Sequence, residues 1–328
     1  MAAFFSFDNP LKYKINKNIW KASVKEATKA NLASDLAIGI TTKTAQFDKE
    51  GIDDIALITM IKDEDDIIYE NLVWHFCVGF RKFIIVDNNS TDKTRILIEK
   101  FRKETASIAT VIIVDDPIVE YIQSKVTTGA MLMASSIWPE VTWVFPVDAD
   151  EFWYPYVRLK EILSKIPDDK DVILTSQYQH VPVQDAENFN QQIPFYDSLN
   201  FRLKSLPGGL GKIAVRFKSD VVIAQGNHSA RSTNYNRNMG YISGNKIGLD
   251  MRHFAMRSVA QVEKKYWNGA KANILGQKLG VLPHHAGTHW TAFMHEVKDK
   301  GIKQASIDRF NNSVQSKDEC IEDPLPMR

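Results

Sequence analysis

Two carboxylates, Asp148 and Asp150, stand at i and i+2 in WVFPVDADEFW (143–153), where an apolar run ends. On extended backbone such residues project to one side, about 6–7 Å apart at ~3.3 Å per residue. That spacing lets both serve one divalent cation, directly or through water. Hard oxygen ligands favour Mg2+ or Mn2+, ions that keep open positions for phosphate oxygens. The same D-x-D spacing occurs at Asp63/Asp65 and Asp169/Asp171, but only 148/150 closes a strongly apolar run and is followed by Phe152 and Trp153. DDKD (168–171) reads as a solvated turn. Acids also end three other apolar runs: KDEDD (62–66), Asp87, and Asp115 with Asp116. Gathered on one rim they would repel one another, and a divalent cation is the natural compensator.

The runs that carry these acids alternate with helical patterns. ALITMI (56–61) and KFIIVD (82–87) are short and apolar throughout, the pattern of strands buried on both faces. ATVIIVD (109–115) and WVFPV (143–147) repeat it. Between them, Ile68, Leu72 and Phe76 recur at four-residue spacing up to a stop at Gly79, and Ile98 with Phe101 mark a second helix N-capped by Ser90 or Thr91. Ile122, Val126, Ala130 and Met133 mark a third. Strand and helix in alternation imply right-handed crossovers and a mostly parallel central sheet flanked by helices, an α/β fold. Ligands then sit beyond the carboxyl ends of the strands, where the acids are. Pro146 cannot donate a ladder bond, so the fourth strand is expected to end or lie at an edge there. Further on, DVILTSQYQHV (171–181) reads as one long strand, KIAVRF (212–217) with VVIA (221–224) as a hairpin, Ser258 to Leu275 as a helix, and the stretch past 300 as a polar tail. Residues 1–50 read as an N-terminal extension, 51–225 as the core and 226–328 as a C-terminal lobe.

Composition narrows the function classes. The chain has 328 residues, 44% hydrophobic and 25% charged, enough apolar content for a large core. Forty-one Lys+Arg against 40 Asp+Glu leave +1, so the broad positive field of a nucleic-acid binder is missing and no nucleic-acid partner is expected. Two cysteines, Cys77 and Cys320, without C-x-x-C, exclude a disulfide scaffold or structural zinc, and Cys77 reads as a small core residue. No apolar stretch is long enough for a transmembrane segment and no signal core is visible, so the expected location is the cytoplasm, or the periphery of the inner membrane face. Neither G-x-x-x-x-G-K-[ST] nor G-x-G-x-x-G follows the first strand, against an ATPase and a dinucleotide enzyme.

The chain resembles the glycosyltransferase family 2-like enzymes with the GT-A fold. The resemblance rests on TMIKDED (59–65), on FIIVDNNSTDKT (83–94), similar to that family's VDDGSTD-type segment, and on WVFPVDADEFW (143–153), similar to its DxD segment. A weaker similarity runs through GKIAVRFKSDVVIAQGNH (211–228) and MRHFAMRS (251–258). It implies that Asp87 contacts the base or ribose of a nucleotide, that Lys62 to Glu64 line the same pocket, and that Asp148 and Asp150 hold Mn2+ or Mg2+ on the donor diphosphate. It also implies that His253 completes the metal shell. Arg252 and Arg257 nearby read either as neutralising phosphate or as a solvated helix start. Asn88 and Asn89 depart from DDGSTD, although Asn tolerates the left-handed backbone of such a turn.

The implied reaction moves a sugar from a nucleotide-sugar, a UDP-sugar in the expectation, to a hydroxyl of a glycan or other acceptor, with inversion. The metal stabilises the charge on the departing diphosphate. The acceptor hydroxyl loses its proton to a positioned base. Asp185 is chosen for that role over Glu187, in the same VQDAENF loop, and over Glu151, each of which also reads as an ordinary acid. Trp153 and Tyr154 offer a stacking platform for a sugar ring. PHHAGTHW (283–290) either shapes the acceptor pocket or closes the C-terminal lobe, and it lacks H-E-x-x-H. Two rivals remain: a catalytically inactive nucleotide-sugar-binding protein on the same fold, and a nucleotidyltransferase. The latter would carry a Gly-rich basic loop where this chain has KDEDD.

Overall fold

Alternating burial on two faces builds the centre of the molecule. The computed structural model describes residues 44–118, 122–183, 194–205, 211–280 and 287–327. The first half follows the expected rhythm: β1 (Ile55–Ile61), α1 (Ile68–Val78), β2 (Lys82–Asp87), α2 (Thr94–Thr105), β3 (Thr110–Asp115), α3 (Gln123–Ile137) and β4 (Trp143–Val147). These four strands pair in parallel, in the order β4-β1-β2-β3. Ile55, Leu57, Phe83, Ile85, Phe145 and Val147 enter the core on one face, with Leu72 and Trp74 of α1. Ala56, Ile58, Ile84, Val86 and Val144 enter a second core beneath Ala130, Met131 and Ala134 of α3. A strand buried on both faces has no polar side, which is why its sequence is apolar throughout.

The second half continues through β5 (Glu151–Pro155), α4 (Leu159–Ser164), β6 (Val172–Thr175), β7 (Gln177–Gln179), α5 (Phe195–Ser198), β8 (Phe201–Leu203) and β9 (Lys212–Arg216). It closes with β10 (Val221–Ile223), β11 (Ala230–Ser232), β12 (Tyr241–Ser243), β13 (Leu249–His253), α6 (Val259–Lys278), α7 (Thr288–Lys300), α8 (Ile302–Asn311) and β14 (Cys320–Glu322). The main sheet has seven strands, β12-β6-β9-β4-β1-β2-β3, of which β9 alone runs against its neighbours. A second sheet, β5-β13-β7, packs beside it, and β10-β11 and β14-β8 form small pairs. Helices α6, α7 and α8 pack on one another as a helical lobe.

Several sequence expectations are corrected here. The 212–217 strand does not form a hairpin with 221–224: β9 inserts antiparallel between β4 and β6, and β10 pairs with β11. The reason is burial, since Ala214 enters one core while Ile213 and Val215 enter the other, which only a central strand satisfies. The long strand 171–181 breaks at Ser176, whose N–H donates to Asn245 Oδ1 at 2.8 Å instead of extending the ladder. Pro146 sits inside a central strand, registered with Ile58 of β1 but beyond the β9 ladder, which ends at Val144. The polar stretch past 300 contains α8 and β14. Cys77 is exposed and Trp153 with Tyr154 are core residues, the reverse of their expected placement. Within DDKD, Asp168 and Asp169 are solvated as expected, but Asp171 is buried against Lys218 and Arg237.

Helix α1 fastens the second sheet to the first. Gly79, at φ 127°, closes the helix in a conformation that side chains strain to adopt. Asn71 donates to Glu151 O at 2.7 Å and Trp74 Nε1 to Trp153 O at 2.8 Å. His75 is fully buried, with Nδ1 2.8 Å from Asn71 O and Nε2 accepting the Trp153 N–H at 3.3 Å. That pattern requires the neutral ring, and burial pulls its pKa down to about 3. In the unfolded chain the ring takes up a proton near 6.5, so stability is complete above that pH and falls as pH drops toward 3. The expected slope from this group is about 1.4 kcal/mol per pH unit. Urea unfolding between pH 6.5 and 4 should show His75→Gln less stable at neutral pH but with a shallower acid slope; an unchanged slope contradicts the assignment.

Candidate active site

The acidic segment after β4 is a tight turn, and this decides what each carboxylate meets. Glu151 N–H donates to Asp148 O at 3.0 Å, closing a turn over 148–151, and Phe254 N–H donates to Asp150 O at 2.9 Å. The extended geometry expected for Asp148 and Asp150 is therefore replaced by a bend that sends the two side chains to different partners.

Asp148 faces β9 and α3. It accepts from Lys212 Nζ at 2.6 Å, Gln123 Nε2 at 2.7 Å and Asn227 Nδ2 at 3.3 Å, and its side chain is 30% exposed. Lys212 reaches Glu151 as well, at 2.8 Å, and donates to Gly226 O at 2.8 Å. Gly226, at φ 75°, packs against the His228 ring so closely that a Cβ would stand 2.6 Å from it. Glu151 is buried and accepts from Gln177 Nε2 at 2.5 Å and from the Asp148 N–H at 3.1 Å. Burial raises the Glu151 carboxyl against the opposing pull of Lys212. Burial would lower the Lys212 ammonium, but Asp148 and Glu151 outweigh it and hold the charge in place.

Asp150 faces β13 and α6. It is 3% exposed and receives the Lys265 ammonium in a short contact. His253 Nε2 lies 3.5 Å away and Arg257 3.8 Å. Burial alone would raise this carboxyl; Lys265, His253 and Arg257 together hold it well below the usual carboxylate range. His253 registers opposite Glu151 across the β13-β5 ladder, so three potential ligands converge: one atom each from Asp150, Glu151 and His253, all within 4.8 Å of one another.

A divalent cation fits this set chemically. Two carboxylates and an imidazole suit Mn2+ or Mg2+, and opposite ligands at ~2.1 Å bonds stand about 4.2 Å apart, a small closure from the spacing observed. The buried Nδ1 of His253 also lacks a hydrogen-bond partner among the described residues.

The residues expected on the nucleotide side lie in two loops stitched together at the same end of the sheet. Lys62 Nζ donates to the carbonyls of Asn88 and Asn89, both at 2.9 Å. Asn89 takes the left-handed conformation, φ 55°, as does Asp63 at φ 54°. Asp87 accepts the Ser90 N–H at 3.0 Å and lies 3.5 Å from Arg95. Contrary to expectation, Ser90 and Thr91 do not cap α2; their hydroxyls bond Asp63 across the loops, while Asp92 accepts the Thr94 N–H at 2.9 Å. Glu64 is pinned by Arg257 at 2.5 Å, and burial pushes its carboxyl up to about 7 against the pull of that guanidinium.

Arg257 also pairs with Asp66 at 2.7 Å, which places it among the rim acids. Arg252 does not reach the rim. It is buried under the rings of Tyr154 and Tyr178 and pairs with Asp323 at 2.8 Å, because its side chain leaves β13 on the face opposite His253. Asp185, Glu187, His284 and His285 fall outside the described residues. Several partners of the acids escaped the sequence reading: Lys212, Gln123, Lys264, Lys265 and Asn268. Lys264 bridges Asp65 at 2.8 Å and Asp92 at 2.6 Å, and Asn268 donates to Asp63 at 2.7 Å. One signal was visible, the polar stripe Gln261, Lys264/Lys265, Asn268 at helical spacing. A lysine heading an apolar strand run, as Lys212 does, was another, since a buried ammonium needs a partner.

Residues 79–237 match the family model for glycosyl transferase family 2. A search of curated proteins found no significant match. Among solved structures, S. aureus TarS 1-349 aligns at 13% identity and a TM-score of 0.37 over 65% of this chain, which spans 64% of that one. The mannosyltransferase PcManGT from Pyrobaculum calidifontis, in complex with GDP-Man and Mn2+, aligns at 12% identity and a TM-score of 0.37, over 91% of this chain and 85% of that one. The likeness to the family rests on the matched residues 79–237 and not on these distant structures. Strands β2 to β10 and the 148–151 turn lie inside that match, so this part of the chain is similar to the glycosyl transferases of family 2.

Proposed function

We propose that this chain is a metal-dependent enzyme that transfers a sugar from a nucleotide-sugar, a UDP-sugar, to a hydroxyl of a glycan or other acceptor, with inversion. The observation that carries the reading is the convergence of Asp150, Glu151 and His253 at the carboxyl end of β4, beside the family's acidic turn. Mn2+ or Mg2+ held there supplies Lewis-acid stabilisation of the departing nucleoside diphosphate. Asp148, the other expected ligand, is the more exposed carboxylate of the turn and is held by Lys212, so in this reading it serves the ion through water or through the donor.

The chain's own residues do the remaining work. Asp87, Lys62 and Glu64 order the rim that takes base and ribose: the Lys62 contacts hold the 88–89 backbone in its bend, and Arg257 fixes Glu64 beside the metal cluster. Lys212 keeps Asp148 and Glu151 from repelling each other, so the turn holds its shape before any ligand arrives. Asp185 is assigned the acceptor proton on the strength of the sequence. A cytoplasmic site of action is in keeping with this reading.

Donor hydrolysis tests it. Incubation with UDP-, GDP- and dTDP-sugars plus Mn2+ should release nucleoside diphosphate from the UDP-sugar; nucleotide binding without any release would instead favour a nucleotide-sugar-binding protein. Removing metal with EDTA should stop release and added Mn2+ should restore it, whereas full activity in EDTA contradicts metal dependence. Asp150→Asn should lower release by more than about 100-fold, because a direct ligand costs at least what an outer-shell partner does. Since Asp150 is buried under two cations, the comparison is made well below the variant's unfolding temperature, checked by circular dichroism. Wild-type metal dependence in that variant refutes the ligand assignment.

A further inference from the structure

The cation that neutralises Asp150 comes from outside its own sheet. Lys265, in the second turn of α6, places its ammonium on the carboxylate oxygen that His253 and Arg257 also approach. A divalent ion bound by Asp150, Glu151 and His253 would use the same carboxylate, and two cations do not share one carboxylate without repulsion. Helix α6 does not depend on this contact for its seat. Lys264 holds Asp65 and Asp92, and Asn268 holds Asp63, so the helix stays docked on the β1 and β2 loops if Lys265 lets go. A lysine suits such an exchange, being a point charge on a flexible four-carbon stem.

We propose that Lys265 is an exchangeable counter-ion: it neutralises Asp150 in the metal-free protein, yields that carboxylate to the divalent cation, and then serves the diphosphate of the incoming nucleotide. The inference rests on the metal reading above. Its consequence is coupling. The metal alone must displace an ammonium whose remaining acidic neighbour, Glu64, is already paired with Arg257, whereas the metal with a nucleoside diphosphate supplies a free anion, so each ligand strengthens the binding of the other through Lys265.

The test uses the full chain, Mn2+ alone and UDP as probes, with free Mn2+ read by electron paramagnetic resonance and UDP by calorimetry. Lys265→Met should bind Mn2+ alone about tenfold more tightly than the wild type and, at saturating Mn2+, bind UDP about tenfold more weakly. Lys265→Arg, which keeps the charge, should retain the coupling between Mn2+ and UDP that Lys265→Met loses, and circular dichroism shows whether the Met variant is folded. Unchanged Mn2+ affinity or undiminished UDP affinity in a folded Lys265→Met overturns the exchange while leaving the metal site standing. If neither wild type nor Lys265→Met binds Mn2+, the metal reading and this inference fall together.

Discussion

Carboxylates crowded at the ends of parallel strands must be neutralised before they can be buried, and the whole site is arranged around that requirement. Asp148, Asp150, Glu151, Glu64, Asp65, Asp66 and Asp92 meet at one end of the main sheet. Their mutual repulsion in a poorly solvated rim would oppose folding. Four cations answer it: Lys212 from β9, Arg257 from the segment just before α6, and Lys264 and Lys265 from the first turns of α6. The protein thus carries much of the positive charge that a metal would otherwise have to supply.

This arrangement explains why β9 lies where it does. As a central antiparallel strand it buries Ile213, Ala214 and Val215 on both faces and delivers Lys212 between Asp148 and Glu151. An edge hairpin would leave that lysine away from the turn. The same logic applies to β13, whose alternation sends His253 toward Asp150 and Arg252 into an aromatic box with Tyr154 and Tyr178. One strand therefore serves the site with one face and the core with the other.

The helical lobe takes part in the site as well as packing beside it. Through Lys264, Lys265 and Asn268, and through Arg257 just ahead of it, α6 is bonded to both acidic loops and to the turn after β4. Ion pairs of this kind are individually modest at the surface, but Arg257 and Asp150 are buried, where losing one partner leaves an uncompensated charge. Changes in the lobe are thereby felt directly at the acidic turn and loops.

By itself the sequence determined the local elements and the acid positions: the β1 to β4 alternation, the stop at Gly79, the left-handed Asn89, and an acidic pair at a strand end with His253 to follow. Each of these follows from periodicity, backbone preference or the resemblance, all legible within a short window. Tertiary structure decided which charges meet. That Asp148 and Asp150 part company in a turn, that Lys212 and Lys265 take one each, that Glu151 joins Asp150 and His253, and that Trp153 and Tyr154 are core depends on contacts between segments tens to more than a hundred residues apart. A charge's partner is chosen by the fold's geometry and by the cost of burying it alone, and neither is written in the residues beside it.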